Sequence, residues 1–389
     1  YGFVTQAEMV AKRFDSRALA VVMAIVSVVA FVPYLALQMQ GAGLVLETVT
    51  RGELPMWAGA AVVYVVVTIY VLRSGVLGVG WTNTLQGVFM LVLAWGLGIY
   101  LPTKLYGGVQ PMFERLAAEA PGHVLAPGSV WTWGQYTAAV VVSIIGFSVW
   151  PHLFMKAFSA KDEKTLRRTV VLYPTFQIFL VPLFLIGFAG VMFASKPATP
   201  DQVLPHMLMN MELPSFLVGL FCAGALAASM SSGDAMAHAA ASIAVRDGWV
   251  RGGGRQLGHH DERALIRRVV VATMILSYVV AIIAHHFEVS LVMLLLSAYG
   301  AVVQFAPVIV ATLYFERVRR VAVLSGMIAG SVLTVVFVIW PEAMPVKLHA
   351  GLYGLALNVA VLIGLSWARP VERPEETKRF LKVAGGEEP

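Results

Sequence analysis

Charge is what this sequence most lacks. Asp, Glu, Lys and Arg make up 13% of its 389 residues, against about 25% in soluble domains. Hydrophobic residues make up 58%, and the mean hydropathy is +0.77. A soluble helical core of this size needs more polar surface than these residues supply. Cysteine is nearly missing: Cys222 stands alone, which excludes internal disulfides and leaves the redox compartment unmarked. Also missing are His-Glu-x-x-His, Gly-x-Ser-x-Gly and any Cys/His cluster, so the sequence does not read as an enzyme. It shows neither a pore loop nor rings of charged residues, the usual furniture of channels. The glycine-rich "GGGRQLG" at 252–258 is no phosphate loop, because no strand precedes it and no Lys-Ser/Thr follows. No signal peptide is visible, and the chain begins at Tyr1 rather than Met, so an N-terminal truncation is expected.

Long apolar runs are abundant instead. Ten are long enough to span a bilayer, which takes about 20 residues each: 18–46, 56–72, 83–101, 135–153, 169–194, 213–245, 269–285, 290–315, 321–340 and 352–367. The fold class is therefore all-α, a polytopic membrane protein. Of the 28 basic residues, 23 fall on one side of this arrangement and 5 on the other. The basic side is cytoplasmic, which puts both ends of the chain inside. The net charge of +6 belongs to those loops and does not signal nucleic acid. The loop at 102–134 is expected to include a surface helix. The inner loop "RDGWVRGGGRQLGHHDER" at 246–263 reads as flexible, with His259 and His260 either solvated or metal-binding. Residues 1–369 form one transmembrane domain and 370–389 a cytoplasmic tail; no soluble domain is apparent.

Helices broken near mid-membrane mark carriers. Pro151 in "GFSVWPHLF" removes a backbone donor and unwinds the turn before it. The carbonyls it frees need partners: a cation, water or a solute. "QFAPVIV" at 304–310 repeats the pattern. Either proline alone is also compatible with a plain kink. The stretch "GALAASMSSGDAMAHAAAS" at 224–242 sets Ser231, Asp234 and His238 on one helical face. Serines in apolar helices commonly bond back to their own backbone. An ionisable residue in a span is usually functional; the alternative for Asp234 is a structural pair with His238 or with a basic residue of another helix.

These residues carry a resemblance. "TQAEMVAKRF", "GVGWTNTLQGVFM", "WPHLFMKAFSAKD", "LAASMSSGDAMAHAAASIAVRD" and "SGMIAG" follow one another as the signature stretches of the sodium:solute symporter family do. The resemblance implies the five-plus-five inverted-repeat (leucine-transporter) fold lacking its first helices. The run at 18–46 would be core helix three, the broken helix core helix six, and the serine helix core helix eight. Core helices one and two and a leading peripheral helix would be absent, so this chain alone is expected not to transport. The resemblance also implies Na+ as the coupling ion, held by the Ala228 carbonyl and the hydroxyls of Ser231 and Ser232. The family's aspartate after Trp-Thr is Asn83 here, and Asp234 stands where the proline symporter is uncharged, so Asn83, Asp234 and His238 are the ion-path candidates. The family's proline-recognising aromatics correspond to Ser143 and Phe147, which argues against proline. "WPHLFMKAFSAKD" and "PYLALQMQGAG" resemble members that move monocarboxylates. Gln38, Phe147, Trp150 and Pro151 are the solute-binding candidates. Gln40 is a further one, with helix packing as the alternative role for Gln40 and Phe147.

The resulting expectation is a sodium-coupled symporter of the inner (plasma) membrane. It would import a small organic solute, a monocarboxylate, with sodium, solute and membrane lipid as partners and no nucleic acid. Pantothenate, an amino acid or another solute are alternatives, as is a non-transporting sensor module of the same fold. Orientation is testable. In a background lacking Cys222, cysteines at Gly253 and Gly128 are expected to label from opposite sides. Labelling of position 253 by an impermeant reagent outside intact cells would contradict the topology.

Overall fold

The computed structural model describes residues 1–125, 131–367 and 374–386, with the backbone alone at 74–80, 82 and 374. The described residues form helices and no strand. In chain order these are α1 (Gln6–Phe14), α2 (Arg17–Val49), α3 (Met56–Tyr106), α4 (Val109–Glu119), α5 (Trp133–Ser148), α6 (Pro151–Phe158), α7 (Glu163–Phe176) and α8 (Leu180–Val191). There follow α9 (Val203–Asn210), α10 (Ser215–Ile243), α11 (His259–His286), α12 (Leu291–Val302), α13 (Phe305–Tyr314), α14 (Arg320–Ile339), α15 (Ala350–Trp367) and α16 (Pro374–Ala384). Ten helical stretches are long and apolar enough to cross a membrane, and they coincide with the ten apolar runs.

The core sits around α2. Its apolar residues are spread around its whole circumference, as befits a helix surrounded by protein. It packs against α3, α10, α11 and α12. At 33 residues it is about 50 Å long, more than the roughly 30 Å hydrocarbon layer, so its ends reach both aqueous faces. Ser16 caps its start by accepting from the Leu19 N–H at 3.4 Å, after Asp15 has turned the chain at φ 45°. At the other end Glu47 accepts from the Met56 N–H at 3.2 Å and from Gln202 at 3.3 Å, tying the α2–α3 hairpin to the segment before α9. Asp201, beside it, accepts from Leu291 N–H at the start of α12.

α3 differs from the sequence expectation of two separate helices. It is a single helical assignment of 51 residues, which would run about 76 Å if straight. Tyr64 in its first half and Asn83 and Leu93 in its second all meet α10 between Gly224 and Gly233. Its two halves therefore lie against the same neighbour and count as two spans, Met56–Arg73 and Asn83–Tyr106. The long outer loop contains its expected surface helix, α4, while Gly128, the proposed outer labelling position, lies outside the described residues.

The inner loop is more ordered than its glycines suggest. Residues Ala244–Arg251 continue α10 as a π-helical segment. Arg251 bridges Asp247 at 2.7 Å and Glu8 of α1 at 2.6 Å, and the Arg255 guanidinium stacks 3.8 Å over Trp249. His259 and His260 open α11 in an exposed setting, with His260 3.6 Å from Asp261. Among the described residues no group of three or more His, Cys, Asp or Glu is placed to hold a metal ion. A Cβ at Gly253 would meet the Trp249 carbonyl at 2.5 Å, whereas Gly258 is open, so Gly258 is the better inner labelling position.

α1 ties together the face that carries most of the basic residues. Besides Glu8, it offers Arg13, which donates to Thr377 Oγ1 of α16 at 2.8 Å and to the Phe315 carbonyl after α13 at 3.2 Å. Burial pulls the guanidinium down from its usual value and Glu316 opposes that; an arginine stays charged through such shifts. Phe380 of α16 is buried against Tyr1 and Phe3. Most of the described tail is therefore a docked helix.

α14 and α15 approach through small residues, as membrane helices do when backbones must come close. A Cβ on Gly326 would sit 2.7 Å from the Asn358 carbonyl, and one on Gly354 would collide with Thr334 and the Gly330 carbonyl. Gly364, on the same helix, has nothing within 4 Å. Gly354→Ala is accordingly expected to destabilise the protein by about 1–3 kcal/mol through overpacking, and Gly364→Ala hardly at all. Thermal unfolding in detergent measures both; equal melting would contradict the close packing.

Candidate functional site

The first helix break forms as Pro151 demands. α5 stops at Ser148, Val149 and Trp150 leave helical geometry, and Pro151 takes the first position of α6. The orphaned Val149 carbonyl does not wait for a cation or solute, as expected from sequence. It accepts from the Gln6 side-chain amide of α1 at 3.1 Å, and Gln6 is only 1% exposed. Around the break stand aromatic rings. Trp150, 2% exposed, meets Phe31 at 5.5 Å, Tyr34 at 5.4 Å, His152 at 5.4 Å and Tyr299 at 5.7 Å between centroids, and its indole hydrogen-bonds to Tyr299. Phe147 stacks on Tyr173 at 5.5 Å. His152 Nδ1 is buried without a hydrogen-bond partner.

The second break is different in kind. α12 ends at Val302 and α13 begins at Phe305, just before Pro307. Gln304, fully buried, shares its amide among the Gly300 carbonyl, Thr334 Oγ1 and the Gly351 carbonyl at 3.1–3.3 Å. Asn358 donates back to the Gln304 carbonyl at 2.9 Å. Side chains of α14 and α15 thus seal this break, and it offers no open carbonyl at Gln304.

The serine helix α10 is pinned from two sides. Ser229 donates to the Gln38 carbonyl of α2 at 2.9 Å, and Tyr64 of α3 lies 2.9 Å from Ser229 Oγ. Asn83 donates to the Ser231 carbonyl at 3.3 Å and also reaches the Asp234 carboxylate. Asp234 is 2% exposed, with Oδ1 unpartnered. Ser231 bonds back to the Ala228 carbonyl at 2.9 Å. Ser232 and His238 make no hydrogen bond or ion pair among the described residues. The structure therefore pairs Asp234 with Asn83, not with His238, although the two lie a turn apart on one face.

On α2, Tyr34 and Gln38 lie one turn apart on a common face. Tyr34 touches Trp150 at the break, and Gln38 receives Ser229. One helix face thus joins the aromatic cluster to the serine helix. The Gln38 side chain itself makes no hydrogen bond among the described residues. Gln40 donates to the Val289 carbonyl at 3.2 Å, while its Oε1 is buried without a hydrogen-bond partner. Tyr34, Tyr64, His152, Ser229 and Tyr299 escaped the sequence reading. Each is an ordinary residue in an apolar run, and only partners far along the chain single it out.

A family model described as "Sodium:solute symporter family" matches residues 1–330. The chain belongs to that family. It is 26% identical to the uncharacterized symporter YhjB of Bacillus subtilis (strain 168), over 93% of this chain and 76% of that protein. It is 23% identical to a monocarboxylate transport permease protein of Rhizobium johnstonii, over 96% and 77%. It is 26% identical to the sodium/pantothenate symporter of Escherichia coli (strain K12), over 86% and 68%. A solved Na+-coupled sialic acid symporter, substrate-bound and outward-open, superposes with a TM-score of 0.74 over 94% of this chain and 78% of that one, at 16% identity. The chain thus has a leucine-transporter-like fold. It is a sodium-coupled transporter, a multi-pass plasma-membrane protein and not an enzyme.

Removing the Tyr64 hydroxyl leaves buried polar atoms of Ser229 short of a partner. Tyr64→Phe is expected to lower stability by about 1–2 kcal/mol, the usual consequence of an unmade buried hydrogen bond. Chemical or thermal unfolding in detergent measures it, and an unchanged midpoint would contradict the pinning of α10.

Proposed function

We propose that this protein imports a small monocarboxylate with sodium by alternating access. The observation that carries the reading is the shared face of α2, which sets the aromatic break one turn from the serine helix and so gives ion and solute a common support. Sodium takes oxygen ligands, and neutral ones suffice for a hard cation of low charge. The Ala228 carbonyl and the Ser231 and Ser232 hydroxyls supply them. In the structure Ser231 and Ala228 bond to each other, so ion entry replaces that bond, while Ser232 is already free of hydrogen bonds among the described residues.

The solute lies beside Gln38, Phe147, Trp150 and Pro151. The Tyr34 and Tyr299 hydroxyls stand near, and the field of Lys156 reaches both His152 and Asp234. Hydroxyl donors suit a solute with an anionic group. The monocarboxylate permease among the relatives supports the same class. Asn83, Asp234 and His238 mark the ion path, with the unpartnered Asp234 Oδ1 as its acidic step. Residues 1–369 are the transmembrane domain, part of the full-length transport unit, and 370–389 its tail; the boundary between them lies outside the described residues.

The test is uptake by the full-length protein in proteoliposomes, with labelled pyruvate, lactate, pantothenate and proline. An inward sodium gradient is expected to accumulate a monocarboxylate several-fold over a potassium gradient. Asp234→Asn is expected to shift the sodium or pH dependence at near-normal expression. Uptake of pantothenate or proline alone would overturn the solute class. A gradient-independent signal would overturn the coupling. Unaltered ion dependence in the residual uptake of a merely unstable Asp234→Asn would make the aspartate a structural partner of Asn83.

A further inference from the structure

A cavity of about 960 Å³ runs between α13 and α15, away from the first helix break and the serine helix. Its walls are apolar from Pro307 and Val359 to Phe315 and Trp367. Each wall is thus about 12 Å long at the helical rise, close to half the roughly 30 Å hydrocarbon thickness. The cavity therefore spans the depth of one leaflet. Its mouth is on the basic, cytoplasmic side, next to the Phe315 carbonyl that Arg13 holds. Trp367, 88% exposed, stands there, at the level where tryptophan marks the membrane–water interface.

Two polar groups at this mouth have no partner among the described residues. Arg317 is exposed and makes no hydrogen bond or ion pair with any described residue, its neighbour Glu316 acting on Arg13 instead. Ser366 Oγ, on the last turn of α15, is buried with no hydrogen-bond partner. An unpaired cation and an orphaned hydroxyl at the head of an apolar groove fit a molecule with an anionic head and a hydrocarbon tail. Inorganic phosphate leaves the groove empty, and an apolar helix leaves the guanidinium unpaired. Basic pockets between spans on the cytoplasmic side bind anionic headgroups for this reason, in the leaflet that carries the negative lipids.

We propose that the α13–α15 groove binds one anionic glycerophospholipid of the cytoplasmic leaflet. Its phosphate is held by Arg317, and an acyl chain lies along the apolar walls. The proposal is independent of the solute.

The test is lipid retention. The full-length protein is reconstituted in nanodiscs of phosphatidylcholine with phosphatidylglycerol, transferred to detergent, and its bound lipid identified by native mass spectrometry. Wild type is expected to keep one phosphatidylglycerol in preference to phosphatidylcholine. Arg317→Gln, which removes the charge, and Val359→Trp, which fills the groove, are each expected to reduce its retention several-fold. Lys378→Gln, on the exposed face of α16, is expected to leave it unchanged. Equal retention in all variants, indifference to the headgroup, or a second protein chain protecting the groove would overturn the proposal. If Val359→Trp does not fold, Arg317→Gln on its exposed side chain decides alone.

Discussion

Inside a bilayer no water is at hand to satisfy a backbone group set free by a broken helix. The two breaks of this chain meet that constraint in opposite ways. At Gln304 the partners come from α14 and α15, all of them buried, and the break is closed. At Val149 a single amide from α1 takes the carbonyl, and the rest of the surroundings are aromatic rings with polar tips. The first arrangement has every reason to stay as it is. The second is held by one neutral hydrogen bond, worth about 0.5–1.5 kcal/mol net, and is correspondingly easier to rearrange.

That places α1 in an important position. Its nine residues reach the first break through Gln6, the cytoplasmic end of α10 through Glu8 and Arg251, and the end of α13 and the tail helix through Arg13. One short helix thus touches the first break, the end of α10 and the tail helix at once. The serine helix is pinned independently, by Tyr64 and Asn83 of α3 and by the Gln38 carbonyl of α2. α2 is common to both arrangements. A rigid central helix with a loosely held break on one side and a firmly held polar helix on the other suits a carrier that must move around a fixed site.

Much of this was legible in the residues. Long apolar runs gave the ten spans and Pro151 gave the first break, because each depends on local composition alone. The two spans of α3 were legible as well, at 56–72 and 83–101; that helix continues between them was not. Hydropathy does not distinguish a helix facing lipid from one facing protein, so it could not pair Tyr64 with Ser229 or Arg13 with Thr377, 165 and 364 residues away. For the same reason nothing in the sequence singled out Ser229, the residue that fastens α10 to α2. The inner loop read as flexible from its glycines; Arg251 and Asp247 supply the order that composition hides.

The central claim is that the serine helix presents oxygen ligands to sodium, Ser232 foremost, while its neighbours hold it in place. Equilibrium binding of radioactive sodium to the purified full-length protein addresses this without depending on the solute. Wild type is expected to bind sodium saturably and in preference to potassium. Ser232→Ala is expected to need about 5–150 times more sodium for half-saturation, the equivalent of losing about 1–3 kcal/mol with one buried ligand, at an unchanged unfolding midpoint. Identical sodium binding in wild type and Ser232→Ala would contradict the account.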